Sequence, residues 1–327
     1  MRFPVKIRIT AVLLSAVMLL LASACSKDTA AGADASDQTA SVSVQQTPAS
    51  SLFESSADET SSEKVSSYID PRPIESRNCG LLDASTGELI DGKYIDDTVY
   101  PASIVKLMTL LVADELCEDK DNTYCSVSYS QIRRLQDRDA YRVGLAAGEK
   151  MSVTDLMYCA ALSSGADAAV ALAAGLAGSE ADFVDHMNRK AAELGLKNTV
   201  FANCTGLHSS SQISTVTDMA LLMKYAMESE FCRKVLTTYS YTTSPTSRHG
   251  EGIKCTSNAL STVKDCDIDG RIKIIAGKTG FIRKSLYCMV TYAVSNNGKE
   301  YIFVSLGAEY KKHTVTDMIY FYEMHML

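Results

Sequence analysis

A chain of 327 residues, 46% of them hydrophobic, can bury one large core or two small ones, which excludes a wholly disordered protein. Its net charge of −7, with no run of Lys and Arg gathered in one segment, excludes the electrostatic basis of nucleic-acid binding. The five histidines form no ligand-like cluster and no Cys-x-x-Cys pair occurs, so the spacing calls for no metal or redox cofactor.

At the N-terminus, Arg2, Lys6 and Arg8 precede an apolar stretch from Ile9 to Leu21 that is too short to span a bilayer comfortably. This pattern predicts an export signal. It ends in Leu21-Ala22-Ser23-Ala24-Cys25, which resembles a bacterial lipobox, so residues 1–25 are expected to be a lipoprotein signal with Cys25 as the lipidated residue. Two acyl chains on Cys25 would anchor the protein stably to the membrane; simple secretion after Ala24 is the alternative. Residues 26–64 are rich in Ser, Thr and Ala and poor in large apolar side chains, a composition that cannot offset the entropy of ordering. They predict a disordered tether with a reach of some tens of ångströms. Residues 65–327 are expected to form the folded domain. Beyond Cys25 nine cysteines remain, an odd number, so at least one thiol is unpaired. Cys117 with Cys125, and Cys255 with Cys266, are close enough in sequence to close short loops; buried reduced thiols are the alternative.

Within the domain, Cys79–Ala84, a turn containing Gly87, and Leu89-Ile90 predict a β-hairpin. Ser103–Leu116 is apolar almost all round, which predicts a central helix buried on most sides. Ser152, Ser179 and Thr215 each precede an apolar-periodic run and predict helix N-caps. Strands are expected at Ile272–Ala276, Tyr287–Val294 and Tyr301–Leu306, the last two joined by a turn at Asn296-Asn297-Gly298. A closing helix from about Val315 carries Met318, Ile319 and Tyr322 on its apolar face. This order predicts an α+β domain with an inserted helical lobe.

Three constellations carry chemistry. Ser103 and Lys106, three residues apart, share a helix face, so the amine can activate the hydroxyl as a nucleophile. Ser61 with Lys64 and Ser261 with Lys264 have the same spacing but no apolar helix behind them. Lys278-Thr279-Gly280 offers a cation, a hydroxyl and a residue without a side chain at a strand edge, fit to dock an extended peptide ending in a carboxylate; an ordinary strand-end turn is the alternative. Ser163-Ser164-Gly165-Ala166-Asp167 reads locally as a helix-to-helix turn capped by Asp167.

In this order the three resemble the Ser-x-x-Lys, Ser-x-Asn and Lys-Thr-Gly motifs of penicillin-binding proteins and serine β-lactamases. The chain is most similar to the low-molecular-mass D-alanyl-D-alanine carboxypeptidases. Pro101–Thr109 resembles their nucleophile segment, Gly148–Ala173 their middle motif, Asn198–His208 their Asn-x-Thr-Gly-Leu stretch and Gly277–Phe281 their Lys-Thr-Gly strand. The resemblance implies the DD-peptidase fold, an antiparallel sheet flanked by helices with an all-helical lobe inserted. It implies a serine-type carboxypeptidase that removes the terminal D-alanine of peptidoglycan stem peptides, needs no cofactor or metal, and is acylated by β-lactams. Ser103, Lys106 and Ser164 would be catalytic, while Lys278, Thr279, Gly280 and Phe281 would bind substrate, with the backbone N–H groups of Ser103 and Phe281 as oxyanion hole. Ala166 stands where the family has Asn, and a lost hydrogen bond there is worth about 1–3 kcal/mol. The family's additional β-domain and C-terminal amphipathic anchor are not recognised after the closing helix, which fits anchoring through Cys25. Two other functions are open to the same fold. A β-lactamase lacks support because no Glu-x-x-Leu-Asn segment follows the middle motif; a wall-binding lipoprotein without turnover would account for Ala166.

Overall fold

A computed structural model describes residues 72–266, 268 and 270–325. Cys25, the export signal and the tether lie outside the described residues. The predicted hairpin is β1 (Asn78–Asp83) and β2 (Leu89–Lys93), antiparallel, with Gly87 in the turn at φ +77°, where a glycine adopts a positive φ without steric cost. A 3-10 turn at Ala102–Val105 leads into α1 (Lys106–Leu116), so the segment predicted as one helix is two. Lys106 to Ala113 of α1 are all buried, as a helix apolar on every side must be.

The short strands β3 (Tyr124–Cys125) and β4 (Met151–Ser152) pair with each other and flank α2 (Tyr129–Asp137). The helical lobe continues through α3 (Val153–Ala161), α4 (Ala166–Ala177), α5 (Glu180–Glu193), α6 (Val216–Glu228) and α7 (Glu230–Leu236). The predicted caps form: Ser152, Ser179 and Thr215 accept hydrogen bonds from the N–H groups of Asp155, Asp182 and Asp218. In each case the acidic side chain in the first turn also meets the positive end of the helix dipole. Helix α1 packs against α3, α4, α5, α6 and α7, so it is the central helix of the lobe.

A small hairpin of β5 (Ser240–Thr242) and β6 (Lys254–Thr256) and a short α8 (Asn258–Val263) return the chain to the main sheet. There β7 (Ile272–Ile282), β8 (Leu286–Ser295) and β9 (Glu300–Ala308) form an antiparallel meander, and α9 (Lys311–His325) closes the domain. The sheet order is β2-β1-β9-β8-β7, antiparallel throughout, which leaves β7 at one edge. Two boundaries differ from the sequence expectation. β7 runs six residues past Ala276 because Gly277 to Ile282 keep pairing with β8 although they lack an apolar pattern. α9 starts four residues before Val315, in a polar first turn that hydrophobic periodicity does not register.

Period-two alternation gives the sheet two buried faces. Leu81, Met289, Ala293 and Phe303 pack against Met318, Phe321 and Tyr322 of α9, whereas Leu82, Val290, Ile302 and Val304 join the core of the helical lobe. The fully buried Asp317 carboxylate ties α9 to the chain before β1, accepting from the Glu75 and Ser76 N–H groups at 3.0 and 2.8 Å and from Ser76 Oγ. Neither Cys117–Cys125 nor Cys255–Cys266 is joined.

Candidate active site

The nucleophile candidate sits at the seam between sheet and helical lobe. Because a 3-10 turn places residues i and i+3 in eclipse, Lys106 is carried directly over Ser103, and its Nζ lies 3.1 Å from Ser103 Oγ. The same amine donates to the Thr205 carbonyl at 2.6 Å. That carbonyl is held by a turn built on Asn203, whose Oδ1 accepts from Thr205 N, Thr205 Oγ1 and Gly206 N at 3.1, 2.8 and 2.9 Å. Gly206, at φ +83°, could not be another residue: a Cβ would lie 2.2 Å from the Ala102 carbonyl oxygen and 2.7 Å from Ser103 N. On the other side, a Cβ on Gly280 would lie 2.8 Å from Ser103 N. Ser103 is thus gripped between two glycines, and Ala102 before it takes a positive φ of 49°.

The expected substrate segment, Lys278-Thr279-Gly280, lies within the edge strand β7 rather than at its end, which excludes the strand-end turn. Lys278 is buried and donates to Ser164 Oγ at 2.9 Å and to its neighbour's carbonyl, Thr279 O, at 3.0 Å. Ser164 occupies the turn between α3 and α4 at φ +62°, an uncommon conformation for a residue with a Cβ. The structure therefore brings Ser103 with Lys106, and Ser164 with Lys278, as two serine–lysine pairs. Phe281 is half exposed and tilts against the Tyr287 ring at 4.5 Å.

Burial governs the electrostatics. Removal from water pushes the Lys106 amine down to about 8, against a weaker upward pull from Cys204 and Asp167. Burial, followed by repulsion from Lys106, holds Lys278 well below the usual lysine range.

Asp167 does not cap α4, whose N-cap residue is Gly165. Its buried carboxylate instead accepts from the N–H groups of Val143, Gly144, Leu145 and Ala168 at 2.9–3.0 Å. It pins a loop whose Tyr141 carbonyl accepts from Ala166 N at 2.9 Å. These hydrogen bonds commit Asp167 to the loop and to the first turn of α4. Ala166 itself is buried and lines the cavity.

These groups surround an open cavity of about 710 Å3 lined by Ser103, Lys106, Ser164, Ala166, Thr205, Thr279, Gly280 and Phe281. Tyr141, Asn258 and Tyr287 also line it, and none of them carries a local signature in the sequence. Thr205 acts through its carbonyl, which every residue type possesses; Gly206 beside it was the available signal. Among the described residues no group of three His, Cys, Asp or Glu is placed to hold a metal ion.

The model of the D-alanyl-D-alanine carboxypeptidase family matches residues 64–310. The chain belongs to that family. It is 31% identical over 260 residues to the D-alanyl-D-alanine carboxypeptidase DacF of Bacillus subtilis, covering 77% of this chain and 64% of that one, so it spans somewhat less than two thirds of that relative. A Streptomyces D-alanyl-D-alanine carboxypeptidase is 32% identical over 241 residues, covering 69% of this chain and 79% of the relative. Among solved structures, a point mutant of a Streptomyces DD-transpeptidase superposes with a TM-score of 0.69 at 26% identity, covering 77% of this chain and 99% of that one. Penicillin-binding protein 5 of Haemophilus influenzae gives a TM-score of 0.67 at 25% identity, over 79% and 72% of the two chains. The α+β architecture described above is the fold of these DD-peptidases.

The glycine grip is testable by itself. Gly206→Ala places a Cβ inside the Ala102–Ser103 backbone at a positive φ and is expected to lower stability by about 2 kcal/mol or more, seen as a reduced denaturation midpoint. A midpoint equal to wild type would show that this backbone approach is not constrained.

Proposed function

We propose that the protein is a serine D-Ala-D-Ala carboxypeptidase acting on peptidoglycan stem peptides. The observation that carries this reading is the Lys106 amine, buried, pushed down to about 8, and 3.1 Å from Ser103 Oγ. Such an amine is about one-tenth neutral at pH 7, whereas an ordinary lysine is neutral less than about one part in a thousand. The neutral amine takes the Ser103 proton as Oγ attacks the carbonyl between the two D-alanines. The backbone N–H groups of Ser103 and Phe281 receive the negative charge on the carbonyl oxygen. Ser164 passes a proton to the leaving D-alanine nitrogen, and the acyl-enzyme on Ser103 is released by water. Lys278 and Thr279 hold the terminal carboxylate, while Gly280 lets the peptide backbone lie close to β7.

The two amines act together in this reading. A carboxylate docking at Lys278 favours the charged form of that lysine, and the resulting repulsion favours neutral Lys106. Substrate binding thereby readies its own base. For the missing amide at Ala166, the Thr205 carbonyl at 2.6 Å supplies Lys106 with one strong acceptor.

The reading extends to location and domain organisation. Residues 1–25 direct export, Cys25 carries the lipid, and residues 26–64 tether the catalytic domain of residues 65–327 to the outer face of the cytoplasmic membrane. Without lipidation the product is secreted. The support is the basic and apolar N-terminal pattern together with a cell-wall peptidase family; no described helix is long and apolar enough to cross a membrane. The same site accounts for acylation by β-lactams.

Release of D-alanine from a soluble pentapeptide ending in D-Ala-D-Ala is expected from the wild type and not from Ser103→Ala, and the wild type alone should gain the mass of a bound penicillin. Release that survives in the variant would overturn the assignment of Ser103. The acylation rate should climb with pH up to about 8, as Lys106 loses its proton, and level off above it; a rate flat from pH 6 to 9 would show that this group is not the base. Ala166→Asn adds an amide at the cavity wall and is expected to raise kcat up to about tenfold, the equivalent of one modest hydrogen bond in the transition state. An unchanged or lowered kcat would show that an amide at this position does not serve the reaction.

A further inference from the structure

The mechanism leaves a buried pair of thiols unused. Cys159, on the last turns of α3, and Cys255, in β6, are both fully buried, and their sulfurs lie 3.3 Å apart although the residues are 96 positions apart in sequence. Neither sequence-adjacent pairing considered above includes this combination. The two segments are also held together by neighbouring groups: the Tyr241 ring, from the residue paired with Cys255, stacks on Tyr158 at 3.8 Å, and Tyr241 Oη donates to Asp155 Oδ1 at 2.8 Å. The proximity of the sulfurs is therefore a property of a fixed interface. No third metal ligand joins them among the described residues, so two thiols at this distance can share a hydrogen bond in the reduced state or pair covalently on oxidation.

We propose that Cys159 and Cys255 are the disulfide site of this protein, a bond made while the exported chain folds; the inference rests on the export reading given above. The sulfurs need to close from 3.3 Å to about 2.05 Å. The oxidant is a small-molecule or protein disulfide. As the chain folds, before the pair is sealed from solvent, the Cys255 thiol loses its proton and attacks one sulfur of the oxidant, expelling the other as a thiolate. Cys159 then gives up its proton and attacks the Cys255 sulfur of the mixed disulfide, expelling the second thiolate. Two protein thiols lose two electrons, one oxidant disulfide becomes two thiols, and the two protein protons pass to them.

The position gives the bond a function. Cys159 O accepts from Gly165 N at 3.1 Å, so it anchors the turn that presents Ser164, and Asn258 N, three residues after Cys255, donates to the Leu162 carbonyl at 3.0 Å. The bond would close a loop containing both Ser164 and Thr205, and so would brace the catalytic turn from behind without lining the cavity.

The test is peptide mapping of the full chain after refolding in a mixture of oxidised and reduced glutathione, with free thiols alkylated under denaturing conditions before digestion. The expected result is one linked species, two hydrogens lighter than the sum of the Cys159 and Cys255 peptides, that separates on reduction. The oxidised wild type should melt about 5–10 °C above its reduced form, whereas the Cys159→Ser Cys255→Ser double variant should be indifferent to reductant. Recovery of both peptides fully alkylated, or linked to other cysteines, would overturn the proposal. The map is independent of D-alanine release, so a chain that forms the bond without turnover would reject the carboxypeptidase reading alone.

Discussion

Three backbone segments meet at Ser103 more closely than side chains would allow, and the site depends on that contact. Gly206 from the loop after α5 and Gly280 from β7 lie on the Ala102–Ser103 backbone, at distances where any Cβ would overlap it. A sheet strand, a loop of the helical lobe and the start of the central helix thus meet at one residue. The positive φ of Ala102 and of Ser164 fits the same account: unfavourable local conformations persist where the surrounding structure fixes them, and Ser164 lines the cavity while Ala102 directly precedes Ser103, which also lines it.

The second organising fact is the burial of two amines with few countercharges. Burial normally excludes lysine, and here both Lys106 and Lys278 are about as hidden as the leucines around them. Each is satisfied by hydroxyl and carbonyl oxygens rather than by a carboxylate. A carboxylate partner would favour the charged form of an amine; here neutral oxygens satisfy the hydrogen bonds while burial lowers the cost of losing the proton. Asp167, the acidic residue closest in sequence to the middle motif, is saturated by four backbone N–H groups and serves the loop bearing Tyr141.

Ala166 carries no hydrogen-bonding side chain at the cavity wall, and the acceptors of Lys106 come from elsewhere. The Asn203-centred turn aims the Thr205 carbonyl at the Lys106 amine. The edge position of β7 is equally consequential: a strand paired on one side only keeps a row of backbone groups for an extended peptide.

Much of this was legible in the sequence by itself. The caps at Ser152, Ser179 and Thr215, the hairpin turn at Gly87 and the buried character of α1 follow from local hydrogen bonding and periodicity, which act within a few residues of chain. The order of Ser103-x-x-Lys106, Ser164 and Lys278-Thr279-Gly280 identified the family, because three short motifs in fixed order rarely arise together. The tertiary structure alone decided the rest. β7 extends through polar residues because β8 pairs with them, Asp167 serves a loop rather than a cap, Thr205 contributes a carbonyl that has no residue signature, and Cys255 meets Cys159 instead of Cys266. Each of these is a contact between segments distant in sequence, and side-chain identity at one position carries no record of which backbone will be folded against it.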